Sequence, residues 1–337
     1  MDKAIVINNC PGTLAAGYVT YSPVAIRRVF CGKKVGAVLD FSLDNIAQEA
    51  MDEAIGRISI SGMQEKLSMI IEKGKIIPTP KGEQGKYILK PVPENKRLKN
   101  RRQMPANEHL TMQIALQVFG IKTAECALIF FADGSPAYIT KRFDIRADGT
   151  KIQQEDFASL SGKTFMTHGA NYKYSGCYQD VAQLIKQYVS AWPVEMEKLF
   201  RLVVFNYLFG NDDAHLKNFS VQQTKDGDYL LSPAYDLLNS SLHITDGSDF
   251  ALEGGLFEKK YYSEVYIRKG HPCRTDFKAF GELIGLNAKR TERVLADFAE
   301  PKQLIYDLIE RSFLNKEMKR IYKRSYNENS ARFGRLI

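Results

Sequence analysis

The chain has 337 residues, of which 44% are hydrophobic and 26% charged, an ordinary balance for a globular protein with ample length to bury a core. It has no run of eighteen apolar residues and opens on "MDKAIVINNC" without a basic start and apolar run, so neither a membrane span nor a secretory signal is expected. The net charge of +8 favours anionic partners such as nucleotides, nucleic acid or a protein bound to nucleic acid.

Residues 1–50 are mixed, and "GKKVGAVLDFS" fits either a short strand pair or a loop at a helix edge. In "MDEAIGRISISGMQEKLSMIIEKGKII" the middle is small and polar. Its end alternates as a strand does, with Leu67, Met69 and Ile71 on one face, and then turns at Gly74. "KYILKP" (86–91) is a second short strand closed by proline, and "PVPENKRLKNRRQMPANEH" is a loop rich in Lys and Arg. "NEHLTMQIALQVFG" spaces Leu110, Met112, Ile114, Ala115 and Val118 as a helix and stops at Gly120. "CALIFFADGSPAYITKRFD" is two strands around Asp133-Gly134, and "IRADGTKI" is a second tight turn.

From about residue 178 the spacing becomes helical, in "YQDVAQLIKQYVSAW" and "PVEMEKLFRLVVFNYLFG", the second opened by Pro193. "VQQTKDGDYLLSPAYD" is a hairpin turning at Asp226-Gly227, and the last hundred residues are mostly helix. Strands first and helices later predict an α+β chain. Its β-rich N-lobe would span 1–160, with 1–50 as an N-terminal segment, and its mainly helical C-lobe 161–337.

Five cysteines, Cys10, Cys31, Cys126, Cys177 and Cys273, are odd in number and form no C-x-x-C. They argue against a disulfide framework and for the reducing cytoplasm. Cys10 and Cys31 lack a second pair that would complete a zinc site.

The densest chemistry lies in "NDDAHLKNFSV", directly after an apolar helix. Phosphoryl transfer needs a carboxylate to take a hydroxyl proton and oxygen ligands for Mg²⁺. Kinase catalytic loops carry an Asp and an Asn five residues apart, followed by a metal-binding Asp. Asp213 and Asn218 have that spacing, and Asp236 in "SPAYDLLNS" follows across a hairpin that returns the chain towards Asn218. A lone D-x-x-x-x-N is weak, and a solvated loop at a helix end explains it equally well; the following hairpin and Asp strengthen it.

In "RISISGMQEKL", Ser59, Ser61 and Gly62 are small enough for backbone amides to approach phosphate oxygens, and Lys66 adds charge. On its own the segment reads as a polar turn, and the chain contains no G-x-x-x-x-G-K-[ST]. Lys90, at the end of its strand, is either exposed or a phosphate lysine oriented by Glu108 on the next helix; Glu108 equally suits a helix N-terminus.

Together "SISGMQEKL", "YILKP", "NEH", "KRFD", "QQEDFA", "GNDDAHLKNFSV" and "SPAYDLL" resemble the HipA-like serine/threonine kinases, toxins of bacterial toxin–antitoxin operons. The resemblance runs from about residue 55 to the C-terminus and implies a two-lobed protein-kinase-like fold using ATP and Mg²⁺. It makes Asp213 the catalytic base and Asn218 and Asp236 the Mg²⁺ ligands. Ser61, Gly62, Met63, Gln64, Glu65 and Lys66 match the loop over the nucleotide phosphates, and Lys90, with Glu108, the phosphate lysine and its partner. Lys141, Arg142 and Phe143 match the inter-lobe segment beside adenine, and His215, Leu216, Lys217 and Tyr235 the remaining nucleotide contacts. Ser59 matches the family's autophosphorylated serine, and the Ser59/Ser61 pair is similar to the shorter HipT kinases of three-gene operons, giving two candidate phosphosites.

The loop begins too early to leave room for the further N-terminal subdomain many members carry. The resemblance therefore implies a separate small HipS-like subunit, a HipB-like DNA-binding antitoxin through which DNA is contacted indirectly, and as target an aminoacyl-tRNA synthetase with bound tRNA. The basic stretch Lys96, Arg97, Lys99, Arg101 and Arg102 suits such a target, although a solvated loop explains it too. Two other functions remain open: a kinase fold that only binds, as a repressor-complex subunit, and a small-molecule kinase.

Overall fold

The computed structural model describes residues 6–45, 65–146, 148–245 and 247–334. The chain forms two units. The first comprises 1–114, 124–150 and 304–320; the second comprises 115–123, 151–303 and 321–337.

The first unit is built on a five-stranded antiparallel sheet of β1 (Leu67–Glu72), β2 (Lys75–Pro78), β3 (Tyr87–Lys90), β4 (Cys126–Phe130) and β5 (Pro136–Lys141), in the order β2-β1-β3-β5-β4. Lys73 and Gly74, at φ +47° and +78°, make the two-residue turn of the β1–β2 hairpin, where paired positive φ matches the strand twist. Alternation sets one face: Leu67 and Met69 pair with Leu89 and Tyr87, and all four are buried. A short helix, α1 (Pro23–Val29), packs Ala25 and Val29 into this core, started by Pro23 and capped by the Ser22 hydroxyl. The Tyr21 hydroxyl donates to the Leu128 carbonyl at 2.8 Å. The ambiguous "GKKVGAVLDFS" is extended: Val38 bridges Phe130 in parallel, and Leu39 N–H donates to the Phe130 carbonyl at 2.7 Å.

Helix α2 (Met104–Phe119) ends at Gly120, at φ +61°, where the sequence puts its stop. It is buried on all sides from Pro105 to Ala115, so its polar residues Asn107, Glu108, His109, Thr111 and Gln113 lie inside.

The second unit is mainly helical, with α3 (Tyr178–Tyr188), α4 (Trp192–Leu208), α5 (Arg274–Leu283) and α6 (Ala288–Ala299). Phe119 stacks on Phe298 with centroids 4.4 Å apart, and Phe209 stacks on Phe205 at 4.4 Å and on Tyr326 at 4.9 Å. One small antiparallel sheet joins β6 (Gln154–Asp156), β7 (Ser220–Gln223) and β8 (Tyr229–Leu231) in that order. Its β7–β8 hairpin turns at Gly227, φ +91°. The chain is α+β, strands dominating one unit and helices the other.

Candidate active site

The polar cluster after α4 is fixed from its first residue. Gly210 takes φ +63°, reversing the chain, and Asn211 N–H returns to the Asn206 carbonyl at 2.8 Å. His215 N–H donates to the Asp213 carbonyl at 2.8 Å, Asn218 N–H to the His215 carbonyl at 2.9 Å, and the Tyr178 hydroxyl to the Ala214 carbonyl at 2.9 Å. Ala214 and Leu216 are buried, which anchors the loop between its polar residues.

Asp213 is half-buried, and its Oδ1 accepts a 2.8 Å hydrogen bond from the Tyr174 hydroxyl. Burial first, then the Asp213 charge, raises the Tyr174 phenol well above its usual range, so it stays a donor at neutral pH. His215 is 7% exposed, and burial pushes its imidazole down to about 4 against the pull of Asp213. It is therefore neutral near pH 7, with its ring edge-on to Tyr174 at 5.2 Å. Burial raises the neighbouring Asp212 carboxyl, whose Oδ2 accepts the Ser248 N–H at 3.1 Å.

The β7–β8 hairpin brings the chain back, with Ser232 N–H donating to the Ser220 carbonyl at 2.9 Å. The Tyr235 hydroxyl then reaches the Lys217 carbonyl at 2.8 Å, putting Tyr235 beside the turn Leu216–Asn218 and Asp236 next in sequence. Asp236 has φ +55°, a left-handed conformation that costs a residue with a Cβ about 1–2 kcal/mol. Such strain is typical of residues aimed at a ligand. Lys217 is ion-paired to Asp156 at 3.2 Å.

The donor set fits Mg²⁺. The Asn218 Oδ1 is buried and has no hydrogen-bond partner among the described residues, and a carboxylate follows at the strained Asp236. An amide oxygen with one or two carboxylates is what Mg²⁺ takes when substrate phosphates complete its shell. No group of three or more His, Cys, Asp or Glu side chains converges among the described residues, at this loop or away from it, so the fit rests on an amide oxygen and one carboxylate.

The remaining predicted positions lie in the first unit. Lys90 is buried, donates to Glu108 Oε1 at 2.7 Å and stands 5.3 Å from the Tyr138 ring centroid. Its burial corrects the exposed alternative for a strand-end lysine: the next helix supplies a buried carboxylate, without which the ammonium would not stay in the core. Lys141 ends β5, Arg142 clasps Asp144 through two hydrogen bonds of 3.0 and 2.5 Å, and Phe143 is partly buried beside them. Glu65 and Lys66 lead into β1, half-buried, and burial raises the Glu65 carboxyl. Ser59, Ser61, Gly62, Met63 and Gln64 lie outside the described residues. In the basic loop Lys96, Arg97, Lys99 and Arg102 are exposed, whereas Arg101 donates to the Pro93 carbonyl at 3.0 Å.

Sequence reasoning missed Tyr174, Asp156 and Asp212. "NYKYSG" has no periodicity, and nothing local signals a bond to Asp213, 39 residues on. Asp156 was within reach, because "QQEDFA" belongs to the quoted resemblance; its carboxylate has a clear partner in Lys217.

A family model described as "HipA-like C-terminal domain" matches residues 58–303. A Haemophilus influenzae protein named "Putative kinase" is 30% identical over 272 residues, covering 76% of each chain. "Putative kinase Y4mE" of Sinorhizobium fredii is 31% identical over 189 residues, 55% of this chain and 43% of that protein. Among solved structures, HipA of Shewanella oneidensis, determined in complex with HipB and operator DNA, superposes with a TM-score of 0.62 at 19% identity. That match covers 82% of this chain and 65% of HipA, and it shows a common fold. The chain thus spans about three-quarters of the Haemophilus relative, under half of Y4mE and just under two-thirds of HipA. Among the described residues, no helix is long and apolar enough to cross a membrane.

Proposed function

The chain belongs to the HipA-like C-terminal domain family, a family of kinases, and from that premise we propose that it is an ATP- and Mg²⁺-dependent serine/threonine protein kinase acting as a toxin. The observation that carries this is the loop of the second unit. Asp213 is held by Tyr174, the Asn218 amide oxygen is buried without a partner among the described residues, and a strained Asp236 follows the residue bonded back to Lys217.

Asp213 accepts the proton of the attacking serine or threonine hydroxyl. The hydroxyl oxygen bonds to the γ-phosphorus, the bond from that phosphorus to the β,γ-bridging oxygen breaks, and ADP leaves with the electron pair. Tyr174 fixes one oxygen of the base and leaves the other for the substrate. Neutral His215 adds no positive charge beside Asp213 that would weaken it as a base. Asn218 and Asp236 would hold Mg²⁺, which when bound offsets the charge of the phosphates. Lys90, fixed by Glu108, is the phosphate-binding lysine. Glu65, Lys66, Lys141, Arg142, Phe143, Leu216, Lys217 and Tyr235 border the nucleotide, and Ser59 or Ser61 is the self-modification site.

The partners follow the same reading. The Shewanella HipA was solved with HipB and operator DNA, which supports a HipB-like antitoxin here and contact with DNA only through it. A small HipS-like subunit, an aminoacyl-tRNA synthetase with bound tRNA as target, and a cytoplasmic location complete the proposal. The exposed Lys96, Arg97, Lys99 and Arg102 suit a partner bearing tRNA.

The test is ADP release and intact mass of the full chain with Mg²⁺ and ATP, beside Asp213→Asn. ADP formation with phosphate added to protein, absent in Asp213→Asn, is expected. ADP formation that survives Asp213→Asn overturns the assignment. ATP binding without ADP release indicates a binding subunit, and phosphate carried only on small molecules indicates a small-molecule kinase.

A further inference from the structure

The second unit contains a pocket of about 180 Å³ that the proposed chemistry does not use. Of the loop residues assigned above, only Asn218 lines it; Asp213, His215, Tyr235 and Asp236 do not. Its walls are mainly apolar, with Ile121, Leu202, Leu231 and Pro233 among them. Three basic side chains, Lys122, Lys198 and Arg201, also line it, and no lining residue is acidic.

The charges are arranged asymmetrically. Lys198 pairs with the buried Glu195 at 2.6 Å, and Glu195 Oε2 also accepts the Leu231 N–H at 3.0 Å, fixing α4 to β8. Arg201 binds the Phe119 carbonyl at 2.6 Å and Asp297 at 2.9 Å, and Lys302 shares Asp297 at 2.8 Å. Lys122 is exposed and makes no ion pair with a described residue. The three lining cations therefore stand against two carboxylates outside the lining, both already engaged and one of them shared with Lys302, so the pocket is electropositive over an apolar floor.

That combination selects a ligand. An ammonium group finds no carboxylate among the lining residues. A free phosphate has charge on every side and would set part of it against hydrocarbon, which is costly. A carboxylate on an apolar body meets both needs, with its charge near Lys122 and its body against Leu202 and Leu231. A dry cavity of about 150 Å³ admits benzene, so about 180 Å³ admits one ring or a short branched chain. We propose that this pocket binds a small organic monocarboxylate with a compact apolar body. Because Asn218, Phe219 and Ser220 form part of its wall, an occupant bears on the segment joining the loop to β7. An effect on turnover follows only if the kinase reading holds; binding does not depend on it.

The test is fluorine NMR titration of the full chain with 4-fluorobenzoate, beside 4-fluorobenzyl alcohol, 4-fluorobenzylamine and inorganic phosphate. We expect saturable 4-fluorobenzoate binding with a Kd of about 1 mM or below, in the range open to so small a ligand. The alcohol and the amine bind at least about fivefold more weakly, Lys122→Met weakens the acid about fivefold, and Leu202→Trp, which fills the pocket, abolishes binding. Lys122→Met leaves the fold intact, because only the Lys122 backbone carbonyl contacts Ala234. The proposal is overturned by absence of saturable binding, by equal affinity for the amine, by affinity unchanged in Lys122→Met, or by competition from phosphate at equal concentration. Since the readout is binding, a chain without kinase activity that binds the acid sinks the kinase reading and leaves this one standing.

Discussion

The two units treat their buried polar groups in opposite ways. In the first, Lys90 and Glu108 are closed on each other at 2.7 Å with side chains 6% and 7% exposed. In the second, Asn211 Oδ1, Asp212 Oδ1, His215 Nδ1 and Asn218 Oδ1 are buried inside eight residues without a hydrogen-bond partner among the described residues. Elsewhere among the described residues only three side-chain atoms share that condition, and one of them, His109 Nδ1, is in the first unit. A buried acceptor without a donor costs about 1–3 kcal/mol, so four in one loop is a concentration of unmet hydrogen bonding that folding alone does not favour. The first unit carries a charge already neutralised, as a scaffold would. The second carries acceptors poised for something not of the chain, as a site would.

The sharpest way to break that comparison is to alter the loop without moving it. Asp213→Asn retains an oxygen to accept from Tyr174 and loses only the second carboxylate oxygen. Phosphate transfer should fall about a hundred- to ten-thousandfold with thermal stability nearly unchanged, measured by ADP release and a melting scan. Glu108→Gln should lower stability as well as turnover, because the carboxylate both neutralises and positions Lys90. The substitution leaves the Lys90 ammonium buried beside the Tyr138 ring and should cost about 3–5 kcal/mol in a denaturant titration. Pairing Lys90→Met with Glu108→Leu should recover most of that stability and none of the turnover. If the double change restores both, Lys90 is structural alone.

A pH-dependent effect of comparable size comes from the two buried histidines, one in each unit. Burial holds both His109 and His215 down at about 4, below the usual value of about 6.5. In that interval the unfolded chain takes up protons that the folded chain does not, so stability is full above about pH 6.5 and is lost as pH falls towards 4. Each histidine should contribute a loss of up to about 1.4 kcal/mol per pH unit, levelling below pH 4. Urea midpoints at pH 7 and pH 5 check this, and His215→Gln should remove about half of the difference in stability between the two pH values. An unaltered difference in His215→Gln would mean that the imidazole is hydrated in solution.

Much of this was legible in the sequence, for reasons that can be named. Alternation at Leu67 and Met69, glycines at 74, 120 and 227, and proline at 193 fix local structure through backbone sterics, and the elements form where they predict. The spacing of Asp213, Asn218 and Asp236 was legible because a hairpin returns the chain by a fixed path. Long-range partners were not. The spacing of α2 shows a helix but not that its polar residues are buried from 105 to 115, because the burial of Glu108, His109 and Gln113 depends on Lys90, Gly12 and Cys126, none of them helical neighbours. Residues 6–45 gave no clear period because their strand-like part, Ala37–Leu39, takes its hydrogen bonds from Phe130, more than ninety residues away. The loop residues Ser59 to Gln64 rest on the resemblance alone.

Tyr174 sharpens the comparison most finely, because it is the bond that turns an open loop into an oriented one. Its hydroxyl is the hydrogen-bond donor to Asp213 Oδ1, and its ring is wedged between His215, edge-on at 5.2 Å, and the Lys173 ammonium at 4.9 Å. Tyr174→Phe keeps those ring contacts and deletes one charge-assisted bond, worth about 1.5–3 kcal/mol when both partners are buried and less at a half-exposed carboxylate. Turnover should fall about three- to tenfold with the KM for ATP unchanged. A purely structural tyrosine would lower the melting temperature and leave the turnover of the folded protein where it was. A fall in turnover at unchanged melting temperature and unchanged KM for ATP would identify Tyr174 as the residue that positions the base.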